Sequence, residues 1–445
     1  MSRFPLLLLL LQLSAVGGGR QLALGAERLR FDADTEGSLA ASVYSLPGSF
    51  FSPETAGSLL AAVRALAPRR RLLVLADPPM RLALAARARA LGVDLLETHA
   101  AYSPWPRDPF SLVHQDGRVV ALVRPNLQAG REEDATMGIA LVEGLPPALD
   151  AAWGSPRWAR AAVPFHNGQV LLTPREAWVS LHTLEPRILE ILGLRRVPVE
   201  SFATAAGIDR YLAAARRGAA ELETLYGRPV RFVHPLPETG AEAARGALLG
   251  RIGGGAGFDL DSLLTLLPAA NGGTRALVAD VGAGRELLGR LPAADFQALA
   301  RGYDLAPPPA RLPAELAAAQ AAARPAALAG FLDLVAEHLR SQGLAVDRLP
   351  LFFVPTALLA DRVGVTHLDF LIGWNNVVVE RREGTTRAEG FASLLPTADA
   401  GARDVFARAG VHLDLLPPLV HSVVLNGGYR CASNHLREPA STSIR

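Results

Sequence analysis

Cysteine occurs once among the 445 residues, at Cys431, in the run Asn426-Gly-Gly-Tyr-Arg-Cys431-Ala-Ser-Asn434. A thiolate is a strong nucleophile, while a lone buried thiol serves equally as a small hydrophobe. The two glycines before it permit a sharp turn or close approach to a ligand. The apolar run Leu419–Leu425 leading into them reads as a strand with the thiol at its end. Carboxylates that could work beside a nucleophile stand at Asp108, in Trp105-Pro-Arg-Asp108, and at Asp259 and Asp261, which follow the glycine-rich Gly253–Gly257. A His-x-Asp pair occurs twice, at His367-Leu-Asp369 and at His412-Leu-Asp414. His166, His421 and His435 lie near other motif positions, where structural roles are expected. No two imidazoles have metal-ligand spacing and no EF-hand-like acidic loop appears, so no tightly bound metal is expected.

These residues need elements to hold them. Arg71–Ala76 reads as a buried strand, Arg81–Leu91 as a helix and Val93–Leu96 as a second strand, forming a β-α-β unit. A hairpin over Phe110–Val123, turning at Gln115-Asp-Gly117, leaves Asp108 on the loop before it. Leu127–Gly138, with Glu132, Glu133 and Asp134, reads as a solvated, mobile charged tip. The pattern recurs: a hairpin over Phe165–Leu172 and Ala177–Leu181, a helix at Glu185–Leu192, a short strand at Arg195–Val197, a helix at Ile208–Tyr226 and a strand at Val230–Val233. Leu263–Leu267 and Arg275–Val281 form the next strands. Leu312–Leu344 is an alanine-rich helical insert, an αα-hairpin broken at Pro325. Leu349–Val354, Leu368–Ile372, Val377–Val379 and Val411–Leu415 supply further strands. Units of comparable size imply one repeated architecture rather than separate domains.

Composition narrows the class. Half the residues are hydrophobic, with 41 Gly and 33 Pro and no short repeat, so the chain is globular. Every basic residue is arginine, and the formal net charge of +2 is scattered, which gives no basic stripe for nucleic acid. Arg3, then Leu6–Leu11, then Ala15-Val-Gly17 has the three parts of a secretory signal over residues 1–20, and its apolar core is too short to span a bilayer. The expectation is a secreted or periplasmic protein with no integral membrane segment after signal removal. One cysteine cannot form an internal disulfide. Residues 21–69 read as a polar lead-in, 70–440 as the single repeated domain and 441–445 as a tail.

Taken in order, Trp105-Pro-Arg-Asp108, Asn167-Gly-Gln-Val-Leu171, Asp259-Leu-Asp261 and Gly427-Gly-Tyr-Arg-Cys431 resemble the guanidine-modifying (pentein) superfamily, most closely the protein-arginine deiminase catalytic domain. The resemblance implies an α/β fold, a fivefold pseudo-symmetric propeller of ββαβ units, with the helical insert near residues 310–345. It also implies hydrolysis of a guanidinium to a ureido group and ammonia. A guanidinium stays protonated and its carbon is a poor electrophile. Two carboxylates are therefore implied to grip it, Asp108 and Asp261, holding the carbon over the Cys431 sulfur. Trp105, Arg107 and Asn167 are implied as their neighbours in substrate binding. The family's acid-base histidine belongs where Asp259 stands, and His367 is the alternative base. No cofactor is implied, calcium entering by analogy with animal relatives alone. The substrate implied is an arginine-containing protein or peptide, with a small guanidine such as agmatine, processed by a deiminase or amidinotransferase, as the alternative. A second alternative is a non-catalytic guanidinium-binding relative, which the loss of the histidine favours. A papain-like hydrolase is excluded by motif order.

Overall fold

The computed structural model describes residues 20–22, 29–68, 70–98, 100, 102–125, 131–195, 204–236, 259–269, 272–361 and 368–438. The signal-like stretch, Gly253–Gly257, His367 and most of Arg195–Val197 lie outside the described residues.

One topology recurs. Strand β1 (Leu39–Ser45) runs parallel to β2 (Arg71–Ala76), which is followed by β3 (Val93–Glu97). Next, β4 (Phe110–Gln115) and β5 (Arg118–Pro125) form an antiparallel pair, and β6 (Arg157–Phe165) returns parallel to β5. The same order holds for β7 (Val170–Leu172), β8 (Ala177–Val179) and β9 (Val230–Phe232), and for β10 (Leu264–Pro268), β11 (Thr274–Asp280) and β12 (Ala345–Pro350). After the hairpin β13 (Phe352–Pro355) and β14 (Asp369–Ile372), it holds again for β15 (Val378–Arg382), β16 (Thr385–Phe391) and β17 (Val411–Leu416). The last strand, β18 (Ser433–Arg437), pairs antiparallel with β1 and completes the first unit from the far end of the chain. Among the described residues this makes five ββαβ units. Strand β1 lies within the stretch expected to be a lead-in, so the repeat reaches N-terminal of residue 70.

Local chemistry explains the elements. The Leu72–Ala76 run is buried throughout, as a strand covered on both faces must be. Helix Pro53–Leu66 is started by Ser52, whose side chain accepts from Thr55 N, with proline in the first turn; helix Pro78–Leu91 is started likewise by Asp77. The alanine-rich insert is the crossover between β11 and β12. It comprises helices Leu312–Gln320 and Ala323–Ser341, and Leu328, Leu332, Val335 and Leu339 join the core against that sheet. The break falls at Ala321–Ala322, not at Pro325, which sits in the first turn of the second helix, where a missing N–H costs nothing. Leu419–Leu425, expected as a strand, contains instead the short helix Val420–Val424, and Cys431 lies in the turn before β18 rather than at a strand end. The segment expected as a mobile charged tip holds, in its described part, the short 3-10 helix Glu132–Thr136 with Asp134 buried.

The turn that carries Cys431 is anchored by a buried polar network. Arg70 meets Glu389 of β16 through two bonds, Nη1 to Oε1 at 3.0 Å and Nη2 to Oε2 at 2.7 Å. Tyr429 donates to Glu389 Oε2 at 2.8 Å and meets the Tyr44 hydroxyl of β1 at 2.8 Å. Two units and the Cys431 turn are thereby tied together. Removing one partner leaves a buried charge unpaired, which costs about 3–5 kcal/mol. Arg70→Met is expected to lose stability of that order in urea unfolding, with Arg70→Met/Glu389→Gln recovering much of it. A loss below about 1 kcal/mol for the single variant would contradict this role.

Candidate active site

The residues just before the leading strand of each unit converge. Cys431 precedes β18, Asp108 precedes β4, Asn167 and Gln169 precede β7, Asp259 and Asp261 precede β10, and Asn375 and Asn376 precede β15. In the segment leading to Cys431, Asn426 adopts a left-handed backbone (φ 64°) held by its side chain, which accepts from Leu371 N and donates to Asp369 O. Gly427 and Gly428 have no room for a side chain: a Cβ on the first would strike the Trp105 indole, and one on the second the Asn376 side chain. Glycine is required here for close approach.

Cys431 is 2% exposed. Its sulfur lies 3.7 and 3.9 Å from the two Asp261 oxygens and receives Asn376 Nδ2 at 3.1 Å, while Asn376 Oδ1 accepts from Cys431 N at 3.1 Å. Burial pushes the thiol well above the ordinary range, and Asp261, Asp259 and Asp108 push it further; the Asn376 bond acts against them. Asp261 is fully buried, accepting from Arg430 Nη1 at 2.8 Å and Asn376 Nδ2 at 2.9 Å. Burial lifts its carboxyl to about 7 against the pull of Arg430, with Asp259 and Asp108 adding to the rise.

Asp108 is bound through Oδ2 by Arg131 at 2.8 Å, while its buried Oδ1 has no hydrogen-bond partner. Arg131 also reaches Asp134 at 2.9 Å and the Ser103 hydroxyl at 3.0 Å, and its guanidinium lies 4.8 Å from the Trp105 ring centroid. Asp259 accepts from Gln169 at 2.8 Å and faces His166, with Nε2 3.9 Å from Oδ1. Burial raises the Asp259 carboxyl; His166 opposes the rise and Asp108 adds to it. The His166 Nδ1 is buried without a hydrogen-bond partner.

Four predicted residues, Cys431, Asp108, Asp259 and Asp261, are therefore brought together. Arg107 turns away, toward Asp34 at 3.0 Å. Asn167 donates to the carbonyls of Arg107 and Phe110, shaping the Asp108 loop, and Trp105 donates to the Ser422 hydroxyl at 3.1 Å. His367 lies outside the described residues. The second His-x-Asp is a surface pair, His412 to Asp414 at 3.1 Å. Of the three imidazoles expected to be structural, His435 is held between the hydroxyls of Ser42 and Ser433, and His421 packs on Phe50. His166 differs, since it faces the carboxylate cluster. The sequence reading missed Arg131, Asn376 and Gln169. Gln169 follows the noted Asn167-Gly168 pair, while Arg131 and Asn376 carried no spacing signal.

Among the described residues, two groups of three donors are close enough to surround a cation: Asp108, His166 and Asp259, and Asp259, Asp261 and Cys431, the atoms in each lying within 4.8 Å of one another. The first group holds one histidine and the second none, so neither joins two imidazoles. The same carboxylates suit an organic cation, and Arg131 shows how this pocket holds one, between a carboxylate and an indole face.

Comparisons place the fold. The chain aligns with the agmatine deiminase of C. jejuni at TM-score 0.53 and 11% identity, over 94% of this chain and 99% of that one. It aligns with the agmatine deiminase of Enterococcus faecalis at 0.57 and 8% identity, over 94% and 100%. A protein provisionally assigned as a peptidyl-arginine deiminase aligns at 0.50 and 11% identity, over 94% and 100%. No family model matches the sequence, and no curated protein does. The chain shares the overall fold of these deiminases.

Asp261 makes stability depend on pH. Its native value of about 7 lies above that of an unfolded aspartate, so the folded state holds the proton more tightly. Stability should fall as pH rises from the unfolded value toward the native one, then level off, by up to about 4 kcal/mol for the roughly three-unit gap. Asp261→Asn should remove that fall, so its stability relative to wild type improves between about pH 4 and about pH 8. Parallel pH–stability curves for the two proteins would contradict the assignment.

Proposed function

We propose that this protein is a cysteine-dependent hydrolase of guanidino groups, converting peptidyl-arginine to peptidyl-citrulline and ammonia. The observation carrying the reading is a buried thiol ringed by Asp108, Asp259 and Asp261, an environment that opposes a free thiolate and favours a cation beside the sulfur. The same reading takes the five units as blades of a closed propeller, supported by the pairing of β1 with β18. The signal-like N-terminus supports action outside the cytoplasm, secreted or periplasmic, on proteins found there.

A guanidinium seated between the unpartnered Asp108 oxygen and Asp261 places its positive charge at the sulfur, which lowers the thiol. The thiol proton passes toward Asp259 and His166, and Sγ forms a bond to the guanidinium carbon. One C–N bond then breaks, and the nitrogen leaves as ammonia with the proton that His166 delivers. Water attacks the resulting thiouronium carbon, gives a proton back to His166, and the C–S bond breaks to restore the thiol. Substrate and water thus yield the ureido product and ammonium. In this scheme Asp259 occupies the family histidine's position, and the imidazole comes from the neighbouring unit, oriented by that carboxylate.

A blocked arginine peptide should yield ureido product with wild type and none with Cys431→Ala. His166→Ala should lower kcat by about 10²–10³, as loss of a general acid-base does. Absence of product from folded wild type, with and without calcium, would refute the reading, and full activity of His166→Ala would remove that residue from the mechanism. Agmatine turning over faster than the peptide would move the substrate to the small-guanidine class, which the agmatine deiminase fold favours. A second reading, guanidinium binding without turnover, is favoured by one observation: Asp108 and Asp261 already hold Arg131 and Arg430. Tight peptide binding without product, lost in Asp108→Asn/Asp261→Asn, would establish it.

A further inference from the structure

Beneath the cluster, Asp34 makes contacts that the proposed chemistry does not use. Its Oδ1 accepts from Arg107 Nη2 at 3.0 Å, and its Oδ2 meets Arg430 Nη2 at 3.0 Å and Leu172 N at 2.8 Å. Its backbone N–H donates to Leu172 O at 2.7 Å, and its carbonyl accepts from Arg437 at 3.0 Å. Arg107 immediately precedes Asp108 and Arg430 immediately precedes Cys431. One carboxylate from the N-terminal segment therefore ties together the loop that carries the gripping acid and the turn that carries the nucleophile. Asp34, Arg107, Asp261, Arg430 and Arg437 line a cavity of about 50 Å³ under the site.

The charges explain why a carboxylate is needed there. Arg430 is shared, with Nη1 on Asp261 and Nη2 on Asp34. Arg107 is half-buried, and among the described residues its enclosed Nε has no hydrogen-bond partner and Asp34 is its carboxylate partner. Burial alone would raise the Asp34 carboxyl, but Arg430 and Arg107, with Leu172 N and Arg437, hold it well below the usual range; Tyr226 and Arg228 are its more distant charged or titratable neighbours. The groups facing Cys431 are Asp261, Asp259, Asp108, Arg430 and Asn376.

We propose that Asp34 is a positioning residue that holds the guanidiniums of Arg107 and Arg430 on the side away from the sulfur, keeping the cavity negative for a cationic substrate. The inference rests on the reading of the site as one for guanidino groups. Neutralising Asp34 frees a half-buried guanidinium beside the Asp108 loop and shifts all of Arg430 onto Asp261. Two effects of opposite sign follow. The cation site weakens, and the thiol, now facing more positive charge, ionises more readily.

The test uses the full chain, measuring steady-state kinetics on a blocked arginine peptide and the rate of iodoacetamide alkylation of Cys431 at neutral pH. Asp34→Asn should raise KM about tenfold or more with a smaller change in kcat, and speed alkylation about tenfold, equivalent to about one pKa unit. Asp34→Glu should restore both toward wild type. A purely structural Asp34 would lower Tm and leave the alkylation rate unmoved, which overturns the proposal; slower alkylation overturns it as well. If Asp34→Asn does not fold, Arg107→Gln gives the opposite sign: Arg430 turns more fully to Asp34, and alkylation should slow. Faster or unchanged alkylation in that variant would overturn the proposal. Should wild type turn over no guanidino compound, the hydrolase reading falls, while the alkylation comparison still decides the role of Asp34.

Discussion

The site depends on how buried negative charge is balanced. Asp108, Asp259 and Asp261 surround one thiol, Asp108 and Asp261 buried and Asp259 half-buried, and carboxylates this close do not all stay ionised without cations. The chain supplies Arg131 to Asp108 and Arg430 to Asp261, with Asp34 behind Arg430. Asp259 has Gln169 and a loosely placed His166. One cation is wanted within this cluster, where the Asp108 Oδ1 has no hydrogen-bond partner among the described residues. A guanidinium fits that requirement in charge and in the number of its donors.

The fold places these groups by repetition. Each unit opens on a polar residue or two just before its first strand, so five similar ββαβ units present five similar positions to one region. Variation at those positions writes the chemistry: thiol, acid, amide, acid pair, amide pair. The buried asparagines Asn167, Asn375 and Asn434 do structural work there, donating to the carbonyls of Arg107, Leu277 of β11 and Pro106. The supporting contacts are long in sequence: Arg70 to Glu389 joins the first unit to β16, and Asp34 to Arg430 ties the N-terminal segment to the Cys431 turn.

Much of this was legible in the sequence. Strands such as Arg71–Ala76 and the Phe110–Val123 hairpin declare themselves because an apolar run or a Asp-Gly turn is a local signal. Cys431, Asp108, Asp259 and Asp261 could be collected through motif order. What was not legible is non-local. Strand β1 was hidden because Leu39–Ser45 mixes apolar residues with serines whose partners come from elsewhere, Ser42 from His435 of β18. Arg131 sits in a charged stretch that reads as solvated; its burial comes from Asp108, Asp134 and Trp105, which spacing does not reveal. The Leu419–Leu425 run fits strand and short helix equally by composition, and the tight Gly427-Gly428 approach to Trp105 and Asn376 decides it. His166 gave no signal of its own because its partner, Asp259, lies on the neighbouring unit.

The central claim is that the Cys431 sulfur forms a bond to a guanidinium carbon. The most direct measurement is the intact mass of protein mixed with a blocked arginine peptide and quenched in acid during turnover. The account predicts a species heavier by the peptide less ammonia, mapped to Cys431 and absent from Cys431→Ala. Turnover with no such adduct on Cys431 under any quench time, or an adduct formed equally by Cys431→Ala, would contradict it.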